Sequence, residues 1–454
     1  MESQSPFSQS ALERAVPRYT SYPTAPHFNA DVGPEIYRRW LNELAEGTRA
    51  SLYLHLPFCQ SLCWFCACRT QGTRQYVPVT RYLGYLEREI ETVAAELGGP
   101  LAMTQMHWGG GSPSILRAED IKRLAHILRR AFPALDGADF DVELDPRDMS
   151  AEKLDAFVEA GVTRFSIGVQ DFAQPVQAAI GRLQDRRLTE DLVVEARRRG
   201  ISSVNLDLVY GLPAQTAQSL AATIGGVLAL EPDRVALFGY AHVPAVSRRQ
   251  AMIDPEVLPG LAERREMVAL ARRLMSSAGY VPIGIDHFAR PGDALAQAAS
   301  TQRLRRNFQG YTSDEADTLI GLGASAIGHF PRGYVQNEAS TAGYQRAVVA
   351  GGLATARGRV LTLEDQIRAA VISEILCSFA LDLSAVSARY GDLAAPVLRE
   401  AEALIENAPA GALSRLDGTD GFEIQPRWHS HARLIAAHFD AYLPNSVARH
   451  SLAV

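Results

Sequence analysis

The chain of 454 residues has no long apolar run and almost no lysine. Charged residues or glycine interrupt every hydrophobic stretch well before the ~18 residues that a membrane-spanning helix needs. The first residues, "MESQSPFSQSALERAVPRYTSYPTA", lack the apolar segment of a signal peptide. We therefore expect a cytoplasmic protein that does not insert into a membrane.

Cysteine is also scarce. Of five cysteines, four lie within one short stretch, "CQSLCWFCAC", at positions 59, 63, 66 and 68. An odd number with this crowding is a poor framework of disulfides for a chain of this size. Reduced thiolates that bind a metal explain the crowding better.

Positive charge is in slight deficit, with 45 basic against 51 acidic residues and a net charge of -6. This balance gives no overall electrostatic footprint for nucleic acid, so we expect no nucleic-acid partner. All basic residues except Lys122 and Lys153 are arginines. Compositional bias explains much of this, but arginine also binds carboxylates through two parallel hydrogen bonds. Clusters such as "RLRRNFQGYT" (303–312) are therefore candidate carboxylate sites.

Short β-branched or aromatic runs alternate with helical periodicity between residues 51 and about 245. The runs are "SLYLHL", "QMHWGG", "FDVELD", "RFSIGV", "SVNLDLVY" and "RVALFGYAHV". Segments with helical periodicity follow these runs, for example at residues 80–97, 118–132 and 189–200. Six such units predict a parallel sheet, either open and doubly wound or closed into a full or partial barrel. The unusual residues after each strand should then meet at one rim.

The rest of the chain differs in pattern. Residues 1–49 are rich in Pro, Ser and Tyr without a clear period, which predicts an irregular N-terminal arm. Residues 50–358 form the predicted catalytic domain. From 359 to 454 the periodicity becomes helical, which predicts a smaller α-rich C-terminal domain.

Three thiolates spaced C-x3-C-x2-C, at Cys59, Cys63 and Cys66, can bind three irons of an iron-sulfur cluster and leave the fourth iron open. Zinc and a redox dithiol are the alternatives, but zinc usually takes a second cysteine knuckle, and the sequence has none. Cys68 follows Cys66 too closely to serve comfortably as a fourth ligand.

The cysteine spacing after a first strand, with a glycine-rich loop after the second, resembles the radical S-adenosylmethionine enzymes. Further motifs resemble one family among them, the oxygen-independent coproporphyrinogen III dehydrogenases. The motifs that carry this resemblance are "PRYTSYPTA", "YLHLPFC", "CWFCAC", "HWGGGSPS", "VELDPR", "SIGVQDF", "NLDLVYGLPAQT", "YAHVP", "IGIDHFARPGDAL", "RNFQGYT" and "GLGASAIG". The resemblance runs from about residue 17 to 443 and implies an α/β fold, a partial (β/α) barrel with the arm and the α-rich domain attached.

The resemblance also implies cofactors and site residues. The cysteines at 59, 63 and 66 would ligate a 4Fe-4S cluster, and two S-adenosylmethionine molecules would bind side by side. Four residues would contact the first molecule: Tyr53, Gly110, Glu143 and Ile327. Seven would contact the second: Phe65, Gly111, Ser112, Gln170, Arg182, Asp207 and Ala241. Tyr53 and Cys68 are the candidate catalytic residues.

The residue types support most of these roles. Consecutive glycines can bring backbone amides to a ligand carboxylate, although they also form plain tight turns. Glu143 and Asp207 could accept from an ammonium or from ribose hydroxyls, and Arg182 could bind a carboxylate at two points. His55 and His107 lie on apolar strands and are left out of catalysis.

The reaction that the resemblance implies is decarboxylation of the ring A and B propionates of coproporphyrinogen III to vinyl groups, in haem biosynthesis. A 5'-deoxyadenosyl radical would remove a hydrogen atom from the propionate, and an unidentified electron donor and acceptor would complete the reaction. Candidate substrate-binding arginines are Arg18, Arg303 and Arg306, the last two near Phe308 and Gln309. We expect a monomer.

Cys68 matches a cysteine that this family keeps and that its haem-trafficking relatives lack. Electron or hydrogen transfer and a small buried thiol are the two interpretations of this residue. Cys377, in a C-terminal helix, is expected in the core.

Some positions depart from the family pattern. They are Trp64 for Tyr, Ala67 for Gly, Arg69 for Asn, Ser112 for Thr, Gly181 for Asn, and Trp428-His429 for Gly-Arg. The alternatives are thus a paralogue acting on another tetrapyrrole and a haem-trafficking protein that keeps the cluster.

Overall fold

The computed structural model describes residues 5–8 and 14–443. Within them the strands are, in chain order, β1 (Arg49–Leu56), β2 (Phe58–Cys59), β3 (Gln71–Gly72), β4 (Ala102–Gly110), β5 (Ala134–Leu144), β6 (Arg164–Gln170), β7 (Ser203–Tyr210), β8 (Arg234–Gly239), β9 (Val281–Ile283), β10 (His287–Ala289), β11 (Arg305–Asn307), β12 (Gly310–Thr312), β13 (Thr318–Leu322), β14 (Ile327–Phe330), β15 (Gly333–Asn337), β16 (Thr355–Val360), β17 (Ala380–Asp382), β18 (Leu413–Arg415) and β19 (Gly421–Ile424).

The α-helices of the same residues are α1 (Pro34–Asn42), α2 (Val77–Ala95), α3 (Ala118–Ala131), α4 (Ala151–Glu159), α5 (Gln174–Ala179), α6 (Arg186–Arg198), α7 (Ala217–Leu228), α8 (Leu261–Ser277), α9 (Ala294–Ser300), α10 (Thr341–Gly351), α11 (Leu363–Ser378), α12 (Leu383–Tyr390), α13 (Ala395–Glu406) and α14 (Ala432–His438). None of these described helices combines the length and the apolarity needed to cross a bilayer.

One twelve-stranded sheet organises the chain, in the order β16-β15-β14-β13-β1-β4-β5-β6-β7-β8-β10-β9. The seven strands from β13 to β8 are parallel, and both flanks are antiparallel. From β1 to β8 the strands follow chain order, so right-handed crossovers place the connecting helices on one face. Consecutive helices accordingly pack together, α2 on α3 and α3 on α4. The arrangement is the predicted partial (β/α) barrel.

Alternation along each strand separates the apolar core from the polar interior. In β1, Leu52 and Leu54 pack in the core, which includes buried residues of α2 and α3, whereas Ser51 and Tyr53 belong to the opposite face. Helix α3 contributes Ile121, Leu124, Ala125 and Leu128, whose three- and four-residue spacing forms its buried stripe. The sheet interior is therefore free for polar side chains.

The segment predicted as an irregular arm is divided between two cores. Val16 and Tyr19 pack in a second core with α11 and α14 of the C-terminal region. Further along, α1 buries Tyr37, Trp40 and Leu41 against the barrel. This helix was not predicted; Pro in its first turn and the i, i+3, i+4 spacing of its buried residues explain it.

The C-terminal region is helical as predicted but also holds a small sheet, β17-β19-β18. Its strands have only three or four residues, too short for a period-two pattern to distinguish them from turns. The domain boundaries proposed from the sequence stay predictions.

Glu89, a buried carboxylate on α2, holds the "GLGASAIG" turn between β13 and β14. Its oxygens accept from the Gly323 amide at 2.7 Å, Asn337 Nδ2 at 2.6 Å and the Tyr344 hydroxyl at 2.7 Å. Burial raises the pKa of Glu89 to about 7. The turn thus depends on one residue more than 200 positions away in the chain.

Glu89→Ala is expected to lower the free energy of unfolding by about 3 kcal/mol or more, because three buried donors would lose their acceptor. Urea denaturation measures the change. Glu91→Ala, an exposed glutamate on the same helix, is the matched control. Equal stability of the two variants would contradict the role of Glu89.

Candidate active site

The cysteine loop begins at the carboxyl end of β1 and is held by two other parts of the barrel. The Trp64 amide donates to the carbonyl of Ile180 at 2.9 Å. From the segment after β8, Gln250 Nε2 donates to the carbonyl of Phe65 and Ser247 Oγ to that of Cys66, both at 2.8 Å. These backbone contacts fix the path of the loop whatever its side chains are.

The four thiols differ in exposure. Cys63 is buried, Cys59 and Cys66 are half-buried, and Cys68 is exposed. Burial, followed by the neighbouring thiols of Cys66 and Cys63, raises the pKa of Cys59 to about 12. A hydrogen bond from the Cys68 thiol lowers the pKa of Cys66. Because thiolates gathered this closely repel one another, they need a positive group between them.

Two arginines approach the most buried sulfur. Arg182 Nη1 lies 3.4 Å and Arg147 Nη2 lies 3.7 Å from Cys63 Sγ. Asp145 holds both, with Oδ2 at 2.9 Å from Arg182 Nη1 and at 2.7 Å from Arg147 Nη2. Hydrogen bonds to ligand sulfur tune the potential of iron-sulfur clusters.

Three thiols on one loop are the donor set that an iron-sulfur cluster would take. Within residues 5–8 and 14–443, no group of three or more His, Cys, Asp or Glu is arranged to hold one metal ion. A four-iron cluster instead takes separate thiolates on separate irons. Buried Arg182 Nε has no hydrogen-bond partner in the described part of the chain, and an orphaned donor beside the cysteines suits a further ligand.

His107 and Glu143 form a chain of charges inside the sheet. Register places Tyr53, His107, Asp141 and Arg164 in one row across β1, β4, β5 and β6. His107 Nε2 lies 3.0 Å from Glu143 Oε1, its Nδ1 lies 3.9 Å from Asp141 Oδ2, and Arg164 pairs with Asp141. His107 is thus bound to two carboxylates.

The pKa values of His107 and Glu143 follow from their pairing. Burial by itself would lower the pKa of His107, but hydrogen bonds and charge from Asp141 and Glu143 raise it to about 9. Burial would raise the pKa of Glu143, yet His107 holds it below its usual range. At neutral pH the site therefore carries an imidazolium and an ionised Glu143.

The glycine run after β4 is required by contacts within the protein. A Cβ on Gly109 would lie 2.6 Å from the Glu143 carboxylate, and one on Gly110, where φ is +102°, 2.3 Å from His55. Gly110 donates its amide to Glu143 Oε2 at 3.1 Å, and Gly111 donates to the carbonyl of Leu56 at 2.8 Å. These two amides therefore have acceptors within the chain, and the predicted contacts of Gly110 and Gly111 with a ligand stay predictions.

Other predicted residues lie at or near the strand ends. Asp207 accepts from Ser166 Oγ at 2.9 Å and Asn205 Nδ2 at 2.7 Å, and burial raises its pKa to about 6. Gln170, at φ +67°, ends β6, and half-buried Ile327 begins β14. These positions stay candidates for ligand contacts.

Three more candidates have contacts within the chain. The Tyr53 hydroxyl lies 3.0 Å from His55 Nδ1. Ser112 Oγ is hydrogen-bonded to Ser114 Oγ at 2.5 Å. The Ala241 carbonyl accepts from the same Gln250 side chain that binds the cysteine loop, at 3.0 Å.

One arginine predicted for the substrate is displaced. Arg303 is exposed and pairs with Glu315 at 3.3 Å, so it does not reach the barrel interior. The motif alone could not show this, because Arg303 precedes β11 and no strand period sets the direction of its side chain. Gln309 does line the interior cavity of about 140 Å³.

Sequence reasoning missed several site residues: Asp141, Asp145, Arg147, Arg164, Ser247 and Gln250. The motif "VELDPR" was a signal for Asp145 and Arg147. Gln250 and Ser247 carried no signal, because they act on backbone carbonyls of a loop about 180 residues away.

Trp64 and Gly181, two departures from the pattern that the sequence resembles, lie against each other. Gly181 has φ +65° and lies under the Trp64 indole, so that a Cβ there would come within 2.7 Å of the ring. Asparagine tolerates this backbone conformation, but the Trp64 ring leaves no room for its side chain. The Trp64 ring therefore fits here only because position 181 has no side chain.

Gly181→Asn alone is expected to destabilise the chain by about 1–3 kcal/mol, because it overpacks a filled site. Adding Trp64→Tyr should recover most of the loss, since the smaller ring makes room. Urea denaturation of the two single variants and the double variant measures the coupling. Additive effects would show that the two positions are independent.

Known proteins are similar to this chain over most of its length. A family model described as the radical SAM superfamily matches residues 53–225. An oxygen-independent coproporphyrinogen III oxidase of Cereibacter sphaeroides is 46% identical over 432 residues, covering 95% of both chains. One of Paracoccus denitrificans is 43% identical and covers both chains fully.

A solved structure matches the whole fold. The coproporphyrinogen III oxidase HemN of Escherichia coli, described as a radical SAM enzyme, has a TM-score of 0.88 and 36% identity. The match covers 97% of this chain and all of the other, so it includes the arm and the C-terminal region as well as the barrel. The chain belongs to the oxygen-independent coproporphyrinogen III oxidases, a family of radical SAM enzymes.

Proposed function

We propose that the chain decarboxylates the ring A and B propionates of coproporphyrinogen III to vinyl groups without oxygen, giving protoporphyrinogen IX in haem biosynthesis. One observation carries the proposal: relatives named for this activity match nearly the entire chain, at up to 46% identity. The cysteine loop beside Glu143 and Arg182 supports it.

The family uses a 4Fe-4S cluster and S-adenosylmethionine. In this chain Cys59, Cys63 and Cys66 would hold the cluster. When bound, the two groups supply a carbon radical that removes a hydrogen atom from the substrate. Each propionate loses that hydrogen atom from its β-carbon, then carbon dioxide and one electron, as a C–C bond breaks and a C=C bond forms.

The protein's own part is binding and orientation. Ionised Glu143 would accept from the ammonium group of S-adenosylmethionine, and His107 holds it in position. Arg182 would offer its unpaired Nε to a carboxylate. The Tyr53 ring lies beside His107, the partner of Glu143. Cys68 lies at the solvent side of the cysteine loop.

Finer features belong to the same proposal. Two S-adenosylmethionine molecules per chain would use the two predicted contact sets, one around Glu143 and Tyr53, the other around Arg182 and Phe65. An electron donor and an acceptor are required by the electron balance. A cytoplasmic location and a monomeric state are proposed from the sequence.

An anaerobic assay tests the function. Reconstituted protein receives dithionite, S-adenosylmethionine and coproporphyrinogen III, and chromatography measures the vinyl product. Two vinyl groups per substrate are expected. Deoxyadenosine without vinyl product would indicate another substrate, and haem binding without deoxyadenosine would indicate a trafficking protein.

A further inference from the structure

Two arginines from distant parts of the chain lie near each other beside the cysteine loop. Arg69 directly follows Cys68 and is exposed. Arg357 is half-buried and lies on β16, the first strand in the order of the large sheet. Neither belongs to the residues predicted for the cluster or for S-adenosylmethionine.

Strand pairing places Arg357 on the interior face of the sheet. Leu319 of β13 lines the interior cavity and pairs with His329 of β14. Ile327 has the same direction as His329, because side-chain directions alternate along a strand. Ile327 pairs with Gln336 of β15, and Gln336 pairs with Arg357. Since directly paired residues share a face, Arg357 belongs to the face that carries the candidate active site.

The guanidinium group of Arg357 is held from one side only. Its Nε donates to Gln336 Oε1 at 2.7 Å, and Gln336 Nε2 donates to the carbonyl of Ser325 at 3.1 Å. Among residues 5–8 and 14–443, the two terminal nitrogens of Arg357 have no acceptor. Paired guanidinium nitrogens of this kind bind a carboxylate at two points.

The backbone around Arg69 is fixed while its side chain is exposed. His55 Nε2 lies 3.1 Å from the Arg69 carbonyl. Arg249 donates to the carbonyls on either side, of Cys68 at 3.4 Å and of Thr70 at 2.5 Å. These contacts keep Arg69 at the end of the cysteine loop.

The positive charges of Arg69 and Arg357 are not balanced by the protein. Burial lowers the pKa of Arg357, and the nearby charge of Arg69 lowers it further. In the described part of the chain, no carboxylate forms an ion pair with either arginine. Two neighbouring cations repel each other, and an anion between them would remove the repulsion.

The place of Arg357 in the sheet favours a broad ligand. Four strand spacings separate β16 from β1, or ~19 Å along the sheet at ~4.8 Å each. Glu143 on β5 and Arg182, between β6 and β7, lie on the other side of β1. An amino acid group bound by Glu143 and Arg182 is too small to reach Arg357. A wide ring with carboxylates at its edge can face the cysteine loop and reach both arginines.

We infer that Arg69 and Arg357 together bind one propionate carboxylate of the tetrapyrrole substrate, and that this carboxylate is one the reaction keeps. The inference rests on the proposed function, which supplies a substrate with four carboxylates, two of which leave as carbon dioxide. A carboxylate that leaves as a neutral molecule loses its ion pair on the way to the transition state, so binding it strongly would slow the reaction. Holding a retained carboxylate instead orients the ring.

Equilibrium dialysis of the reconstituted protein tests the pair with two stable porphyrins. Coproporphyrin III carries all four propionates, and protoporphyrin IX carries only the two that the reaction keeps. Arg69→Gln and Arg357→Gln should each weaken the binding of both porphyrins about tenfold, because each variant removes a charged hydrogen-bond donor. Arg346→Gln, at an exposed position on α10, removes the same charge elsewhere and should leave both affinities unchanged.

Unchanged affinities in Arg69→Gln and Arg357→Gln would overturn the inference. A loss confined to coproporphyrin III would place a reacting propionate between the two arginines and would overturn the assignment to a retained one. Calorimetry should give the same affinity for S-adenosylmethionine in both variants. A tenfold loss of that affinity with unchanged porphyrin binding would assign the pair to the cofactor.

Kinetics separate binding of the ring from a merely structural role. In both variants KM for coproporphyrinogen III should rise about tenfold with kcat nearly unchanged, since the contact is the same in the ground state and the transition state. A fall in kcat at unchanged KM would contradict this. Dialysis needs no turnover, so if the decarboxylation assay fails while both variants still lose porphyrin affinity, only the proposed function is lost.

Discussion

Cys63→Ser is expected to abolish both the cluster and turnover, whereas Cys68→Ser should keep the cluster and lose turnover. Cys63 is buried and receives Arg182 at 3.4 Å, so its loss removes a ligand where the loop is most tightly held. A serine hydroxyl stays protonated at neutral pH and does not replace a thiolate. Vinyl product should fall roughly 1,000-fold or more. Iron and sulfide analysis and chromatography measure the two effects.

Cys68 differs from its neighbours in position. It is exposed, its amide donates to Cys66 Sγ at 3.4 Å, and its thiol lies within the electrostatic influence of Glu143 and Tyr53. This location near Glu143 and Tyr53 favours a role of Cys68 in the reaction over a role in packing.

Cys377→Ser is the matched control, since Cys377 lies on α11 with its thiol 3.9 Å from Ser373 Oγ. It should keep both the cluster and turnover. Normal turnover of Cys68→Ser would show that the Cys68 thiol has only a structural role. An intact cluster in Cys63→Ser would refute the ligand assignment.

Glu143→Gln is expected to weaken binding of S-adenosylmethionine about 10- to 100-fold. The variant removes a charge-assisted hydrogen bond worth about 1.5–3 kcal/mol. His107 holds the Glu143 carboxylate at 3.0 Å, and the Gly110 amide holds it at 3.1 Å. We expect the substitution to change the affinity for S-adenosylmethionine more than the free energy of unfolding. Calorimetry of the reconstituted protein measures the dissociation constant.

The pH dependence of S-adenosylmethionine binding tests whether His107 is the charged partner of Glu143. The pKa of His107 is raised to about 9 in the folded chain, against about 6.5 when unfolded. In the folded chain His107 therefore keeps its charge at neutral pH and loses it as the pH rises through about 9. Affinity for S-adenosylmethionine should fall over that upper range.

His107→Asn should remove this pH step, because asparagine donates a hydrogen bond without a charge. The variant should also bind S-adenosylmethionine more weakly than the unaltered chain at pH 7. An unchanged pH profile in His107→Asn would assign the step to another group and leave His107 without a role in binding.

Much of the barrel could be predicted because its signals are local. Six strands and the helices α2, α3 and α6 lie close to the predicted residues, since each element carries its own hydrophobic period. The seventh parallel strand, β13, was missed. It has five residues and pairs with β1 across more than 260 positions of chain. No local period distinguishes so short a buried strand from a loop.

The candidate site was predicted unevenly for the same reason. Cys59, Cys63 and Cys66 share one loop, so their spacing alone indicated a cluster. Glu143 and Arg182 were named by resemblance, but their partners His107 and Asp145 were not. Those pairings depend on register between strands and on the path of separate loops, which the sequence does not display.

By itself, then, the sequence determined the alternation of strands and helices from β1 to β8, the cysteine loop and the family. Tertiary structure alone decided that two arginines approach Cys63, that Trp64 covers Gly181, and that Arg69 lies near Arg357. The physical reason is range. Periodicity and spacing act within one element, whereas contacts between distant elements follow from the packing that buries them together.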